Sequence, residues 1–342
     1  MNQRIAAMLG LALTLVTAGV AVAATPAGPA KNAVSKVWHV GGAGGWDYAT
    51  LNAAGTRLYL PRTTHTQVFD TKDGRVVADI PGNHRAHGVA LVSGVGRGFI
   101  TDGEQAVVQI FDLANNRLLG QVGAAKDADG ILYDPASKRV LVMCGDSREM
   151  IAIRPDVDPR HGKADTAVPL GGSPESAAVD GKGRAFIDLV DQDRIAVVDT
   201  HTMKVIANWP TGAKTPVGLA IDPTGSTLFV GCRSEKMVVM STKDGKVLAD
   251  LPIGKGVDAC SYANGTAYAS CGDGTLTLVR ETAPGKFAIA ERVTTSPGAR
   301  TLAVDAHTGT VYLPTARLRT VPGKRRPQPV PGTFEVLVVS PK

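Results

Sequence analysis

The chain has 342 residues, 44% of them hydrophobic but only 5% aromatic, with a formal charge of +6. That is material for one large domain or two ordinary ones with a full core, filled by Val, Ala, Leu and Ile rather than by rings. The mild positive balance permits weak attraction to polyanions and does not demonstrate nucleic-acid binding. The 39 glycines and 21 prolines suit many short strands joined by tight turns.

The N-terminus carries a targeting pattern. Arg4 precedes an uncharged apolar run over residues 5–22, and Ala21-Val22-Ala23 offers the small residues that a signal peptidase requires. The apolar run is nearly long enough to serve as a membrane anchor instead. An Ala/Pro-rich spacer follows at once and favours cleavage. The expected division is therefore a signal peptide (1–23), a flexible spacer (24–35) and a mature domain (36–342). The mature product is expected to be soluble and monomeric, in a bacterial periplasm or secreted, with no later membrane span.

Residues 36–40 (Lys-Val-Trp-His-Val) read as a lone strand. Seven similar segments then follow, and their second residues are Asp47, His87, Asp129, Glu175, Val217, Asp258 and Arg300. The intervals are 40, 42, 46, 42, 41 and 42 residues. A period near 40 built from strands is the signature of a propeller. In the fifth repeat, strands are expected over 218–221, 227–231, 236–240 and 246–251, separated by the turns Asp222-Pro223-Thr224-Gly225 and Lys243-Asp244-Gly245. Asp70 and Asp199 each end a third strand, where an aspartate accepts backbone amides two residues on. The last repeat supplies three strands, so the N-terminal strand is expected to complete it by pairing over 334–339. The predicted fold is all-β: one seven-bladed β-propeller with four-stranded antiparallel blades, closed by the N-terminal strand.

The strand, Asp-Pro-x-Gly-type turn, strand and Val-Val-Asp-Thr ending resemble the YVTN repeat of the YncE-like bacterial β-propellers. The literal motif is degenerate here, with Leu228-Phe229-Val230-Gly231-Cys232 and Tyr268-Ala269-Ser270-Cys271 in its place. The resemblance spans residues 36–341 and implies an exported seven-bladed propeller. It says little about function, although single-stranded DNA binding has been proposed for one member. Lactonase propellers and the propellers of quinoprotein enzymes are looser relatives in shape.

In such a fold the seven opening positions form a ring near the central channel, and six of them are ionisable. Charges there need partners or a ligand. One expectation is a self-satisfied network, with Arg300 on Asp258 or Asp47 and His87 on Asp47 or Asp129. The other is a ligand site built from Asp47, His87, Asp129, Glu175, Asp258 and Arg300, flanked by Trp46, Arg62, His65 and Arg233. A divalent cation on Asp47, Asp129, Glu175, Asp258 and His87 is a further option, and His84-x-x-His87 is a weak metal spacing. Cys260 and Cys271 flank a hairpin turn at Asn264-Gly265 and are read as a disulfide pair, with Cys144 and Cys232 as buried thiols. The insertion at 154–161 reads as a variable surface loop, and the one carrying Arg317, Arg319, Lys324, Arg325 and Arg326 as a basic, proline-rich loop.

Catalytic signatures are absent: there is no Gly-x-Ser-x-Gly, His-Glu-x-x-His, P-loop or Gly-x-Gly-x-x-Gly. No cofactor is evident. The leading expectation is a periplasmic binding or scaffold protein for a small molecule or protein partner. The alternatives are a metal-dependent, lactonase-like hydrolase and a single-stranded nucleic-acid binder, the latter with Trp46 and Tyr48 as stacking platforms.

Overall fold

A computed structural model describes residues 31–324 and 327–341. The signal-peptide reading, Arg325 and Arg326 lie outside them. Among the described residues there is no α-helix, and no helix long and apolar enough to cross a membrane. The strands form seven four-stranded antiparallel sheets. The first two share the long strand Val76–Val92, whose first part pairs with Thr63–Asp70 and whose last part pairs with Arg97–Asp102. The last sheet is completed by Asn32–His39, paired antiparallel with Glu335–Pro341. That strand opens four residues before the boundary read from the sequence, because Asn32 pairs with Pro341 and its side chain donates to Glu291 at 2.7 Å.

The fifth blade shows why the pattern folds this way. Its strands are Pro216–Ile221, Thr227–Cys232, Lys236–Ser241 and Val247–Pro252, within two residues of expectation. Asp222 holds the first turn by accepting the amides of Ser226 and Thr227, both at 2.8 Å. Asp70 and Asp199 end their strands by accepting the amides of Lys72 and His201 at 3.0 Å, the local bond that draws aspartate to turns.

The core lies between blades. Seven apolar clusters each join two blades, and one of them, with Trp38, Leu58, Phe69, Tyr312 and Phe334, packs the last blade on the first. Burying each such large side chain contributes about 2 kcal/mol. The 154–161 insertion is not a free surface loop. Val157 is buried, and Arg97 donates to the carbonyl oxygens of Pro155 and Val157 at 3.1 and 2.7 Å, strapping blade three onto blade two.

The inner strands crowd one another where the blades converge. A Cβ at Gly130 would lie 2.3 Å from the Glu175 carbonyl oxygen, so only glycine admits that approach.

Candidate functional site

Five of the seven ring positions lie in breaks of register between a blade's first and second strands. The breaks fall between Ala86 and Val89, between Ala128 and Ile131 opposite Val142–Cys144, between Pro174 and Ala177, between Pro216 and Gly218, and between Val257 and Ala259. A bulge re-aims a side chain at the cost of ladder hydrogen bonds. Here hydroxyls and carboxylates take up the freed backbone groups. Thr101 Oγ1 donates to the Asp129 carbonyl (2.7 Å), Ser270 Oγ to that of Arg300 (2.6 Å) and Thr301 Oγ1 to that of Asp47 (3.0 Å). Asp188 accepts the amides of Glu175 and Ser176 and the Ser176 hydroxyl. The ring backbone is thus pinned by neighbouring side chains before any ligand arrives.

The ring side chains fall into two groups. In the first, His87 Nδ1 is 2.7 Å from Asp47 Oδ2 and 3.5 Å from Asp129 Oδ1. Burial lowers the basicity of the imidazole, but the two carboxylates outweigh it and raise its pKa to about 9. Asp129 is pushed up to about 8, chiefly by burial. Its Oδ1 has no hydrogen-bond partner, and neither has His87 Nε2.

In the second group, Asp258 lies between two arginines. Its Oδ1 is 2.5 Å from Arg233 Nη2 and its Oδ2 is 2.6 Å from Arg300 Nε. Arg233 Nη2 also lies 3.5 Å from Glu175 Oε1. Glu175 is pushed up to about 9 by burial and then by Asp129 and Asp258, so at neutral pH it holds a proton. The four carboxylates expected to share one cation therefore do not do so, because Asp258 and Glu175 face arginines.

One position further along each inner strand the residues are Tyr48, Gly88, Gly130, Ser176, Gly218, Ala259 and Thr301. Six small residues make room for one tyrosine. Tyr48 lines a channel of about 370 Å³ with five of them. Burial, then the carboxylates of Glu175, Asp129, Asp258 and Asp47, push its phenol well above the usual value.

On the ring's outer side a cleft of about 480 Å³ is lined by Trp46, Arg233, Asp258 and Arg300, and by Leu318 and Pro329 from the repeat-seven insertion. That insertion is a hairpin in which Leu318–Arg319 pairs with Gln328–Pro329. Arg317, Arg319 and Lys324 on it are exposed.

Several sequence readings need correction. Arg62 is not a loop cation, being 1% exposed. Its guanidinium lies 3.5 Å from the Phe334 ring centroid and donates to Gly45 O and Gln67 Oε1. It ties the first blade to the last. His65 lies on the strand Thr63–Asp70 rather than in a loop: it neighbours Asp79 at 3.9 Å, and burial lowers its pKa. His84 is exposed, meets Gln105 rather than His87, and so forms no His-x-x-His site. Cys260 and Cys271 are not joined, and all four cysteines are free thiols. The register pairs Cys260 with Ala269 and Cys271 with Val257, so the two thiols are not opposite each other. Trp46 is 5% exposed, packed on Phe334 and under Arg300, and Tyr48 is half-buried in the channel. Neither presents the open face that base stacking requires.

The site residues missed by sequence reasoning act through the backbone: Thr101, Ser270 and Thr301. Each lies beside a ring position, yet a lone hydroxyl in a strand carries no sequence signal.

No family model matches the chain, and no curated protein matches it. Among solved structures it is similar to hydrazine synthase of Kuenenia stuttgartiensis, with a TM-score of 0.66 and 14% identity over 79% of this chain and 92% of that one. Likeness at that identity speaks for the fold alone. Together with the repeated four-stranded sheets, it makes this chain a β-propeller.

Proposed function

We propose that this is an exported binding protein, of the YncE-like kind, which holds a polar small molecule over the charged ring. One observation carries the reading. The ring side chains converge at one end of the inner strands, and two of them (Asp258 and Arg300), with the flanking Arg233, form the wall of an open cleft of about 480 Å³. Cleft size and composition, a few convergent polar groups set among apolar walls, are those of small-molecule sites. The N-terminal targeting pattern supports export.

Thermal-shift screening of a diverse set of small polar molecules tests the proposal, run on the wild type and on the Arg300→Gln/Asp258→Asn double variant. The expected result is one or more compounds that stabilise the wild type and not the variant. A wild-type protein that none of them stabilises at millimolar concentration overturns it.

A second reading is favoured by a separate observation. One ligand atom each from Asp47, His87 and Asp129 lies within 4.8 Å of the other two, and Asp129 Oδ1 is without a hydrogen-bond partner. Two carboxylates and an imidazole suit a divalent cation such as zinc or manganese, and a bound cation would polarise a carbonyl and activate water. Equilibrium dialysis against zinc, manganese and calcium, followed by metal analysis, decides it. No stoichiometric metal, or binding that survives His87→Gln, removes this reading.

A further inference from the structure

The two arginines differ in how far their charge is answered. Arg300 directs Nε to Asp258, sets Nη2 3.4 Å from the Trp46 carbonyl, and lays its guanidinium 5.4 Å from the Trp46 ring centroid. Arg233 directs Nη2 alone to both Asp258 and Glu175. Each arginine leaves 31% of its side chain open, against 11% for the Asp258 between them. Burial, then Asp129 and Asp258, favour the protonated form of Glu175, so Asp258 is the carboxylate shared by both arginines, with Asp47 acting on Arg300 from further off. Two partly open, forked guanidiniums thus share one carboxylate beside the cleft.

Apart from Gln328, the rest of the cleft is apolar or glycine. Trp46, Leu318, Pro327 and Pro329 wall it, and four glycines line it. Trp46 adds an independent sign. It is 5% exposed, and its Nε1 donor has no acceptor. A buried donor left unpaired costs free energy that an acceptor would recover.

We infer that the cleft takes a small molecule bearing one anionic group, a carboxylate or a phosphate, on an apolar body. The anion meets Arg233 and Arg300, whose planar, forked donors match either oxyanion. The apolar body lies against Trp46 and the Leu318/Pro329 hairpin. The cleft volume lies within the range of small-molecule sites, so the body is a ring or short chain rather than a polymer. This rests on the reading of the ring mouth as a ligand site and adds the charge and shape of its occupant.

Calorimetric titration of the purified protein tests it with five probes: phenylacetate, phenyl phosphate, the neutral phenylacetamide, acetate and inorganic phosphate. Phenylacetate or phenyl phosphate is expected to bind at least about tenfold more tightly than phenylacetamide, and more tightly than the bare anion of its own head group. The preference between the two aromatic anions identifies the head group. Arg233→Gln is expected to lower the affinity of the aromatic anion by about tenfold or more while leaving phenylacetamide unchanged, and Arg233→Lys to restore part of it. Circular dichroism verifies that both variants are folded, and Arg300 continues to cover Asp258 in each. If phenylacetamide binds as well as phenylacetate and phenyl phosphate, or Arg233→Gln binds the aromatic anion as the wild type does, the anion inference falls and the ring-mouth reading stands. If none of the five binds while another polar molecule stabilises the protein, the inference again falls alone. If no polar molecule stabilises it, both fall.

Discussion

The two groups of the ring use the same anion and different cations. His87 answers Asp47 and Asp129 with a charge that can be lost near pH 9, and it is sealed in, with 8% of its side chain exposed. Arg233 and Arg300 answer Asp258 with charges that persist at any pH a folded protein meets, and both remain partly open beside a cleft. A titratable, buried cation between Asp47 and Asp129, an acid itself raised to about 8, acts as a clasp whose strength depends on protonation. Permanent cations exposed at a cleft keep donors available to something that arrives from solution. Charged positions around the ring, with Arg233 beside it, therefore serve cohesion on one side and, in the proposed reading, recognition on the other.

The comparison breaks hardest at Asp258. Asp258→Ala leaves two arginines without the carboxylate that separates them, and removing one partner of a buried ion pair is costly. A loss of about 3 kcal/mol is expected, at the low end because each arginine retains water contact. Chemical denaturation reads it as a lowered midpoint with an unchanged slope. Ligand anions should also partly rescue this variant, since they supply the missing charge.

His87→Gln removes the charge of the clasp but keeps an amide in its place. At pH 7 it should cost about 2 kcal/mol, the scale of a hydrogen bond to a charged group. The sign of its pH dependence follows from the shift. The folded pKa is raised from 6.5 to about 9, so the imidazolium contributes fully below pH 6.5 and loses its contribution as pH rises through 9. The gap between wild type and variant should therefore narrow between pH 7 and pH 10. A gap that stays constant over that window contradicts an ionised clasp.

Much of this was readable from the chain. The 40–46-residue spacing picked out the seven opening positions, and charge alone suggested Asp258 or Asp47 for Arg300 and Asp47 or Asp129 for His87; Arg300 meets Asp258, and His87 lies against both of its candidates. The bulges that aim those side chains were not readable, because one extra residue in a strand changes pairing without changing composition. Arg62 misled for a related reason. A cation at a strand end looks like a loop residue until Phe334, from the far end of the chain, is laid against it. The cysteine hairpin failed on register: counting outward from the turn pairs Cys260 with Ala269, and a bulge at Asp258 then brings Val257 opposite Cys271. Local pattern thus located the repeat, and contacts distant in sequence decided what each position touches.

The smallest expected effect is the most discriminating for the arginine side of the ring. Glu175 is raised to about 9 from an ordinary value of 4.5, first by burial and then by Asp129 and Asp258. An acid whose folded pKa is raised loses stability as pH climbs from its unfolded value through its folded one. At pH 4 the side chain is a neutral acid in the folded and the unfolded chain alike, nearly the shape of glutamine, so Glu175→Gln should there change stability by no more than about 0.5 kcal/mol. At pH 10 the wild type must ionise a buried carboxyl beside two others, while the variant cannot. The unfolded wild type already ionises above its ordinary value of 4.5, so the variant should have the higher Tm, with the two melting curves separating between pH 5 and pH 9 and running parallel above that. Should Glu175→Gln instead destabilise at pH 7 by an amount that holds to pH 10, Glu175 is an ionised partner of Arg233. The second group would then carry two anions against two cations, with no charge left over for a ligand.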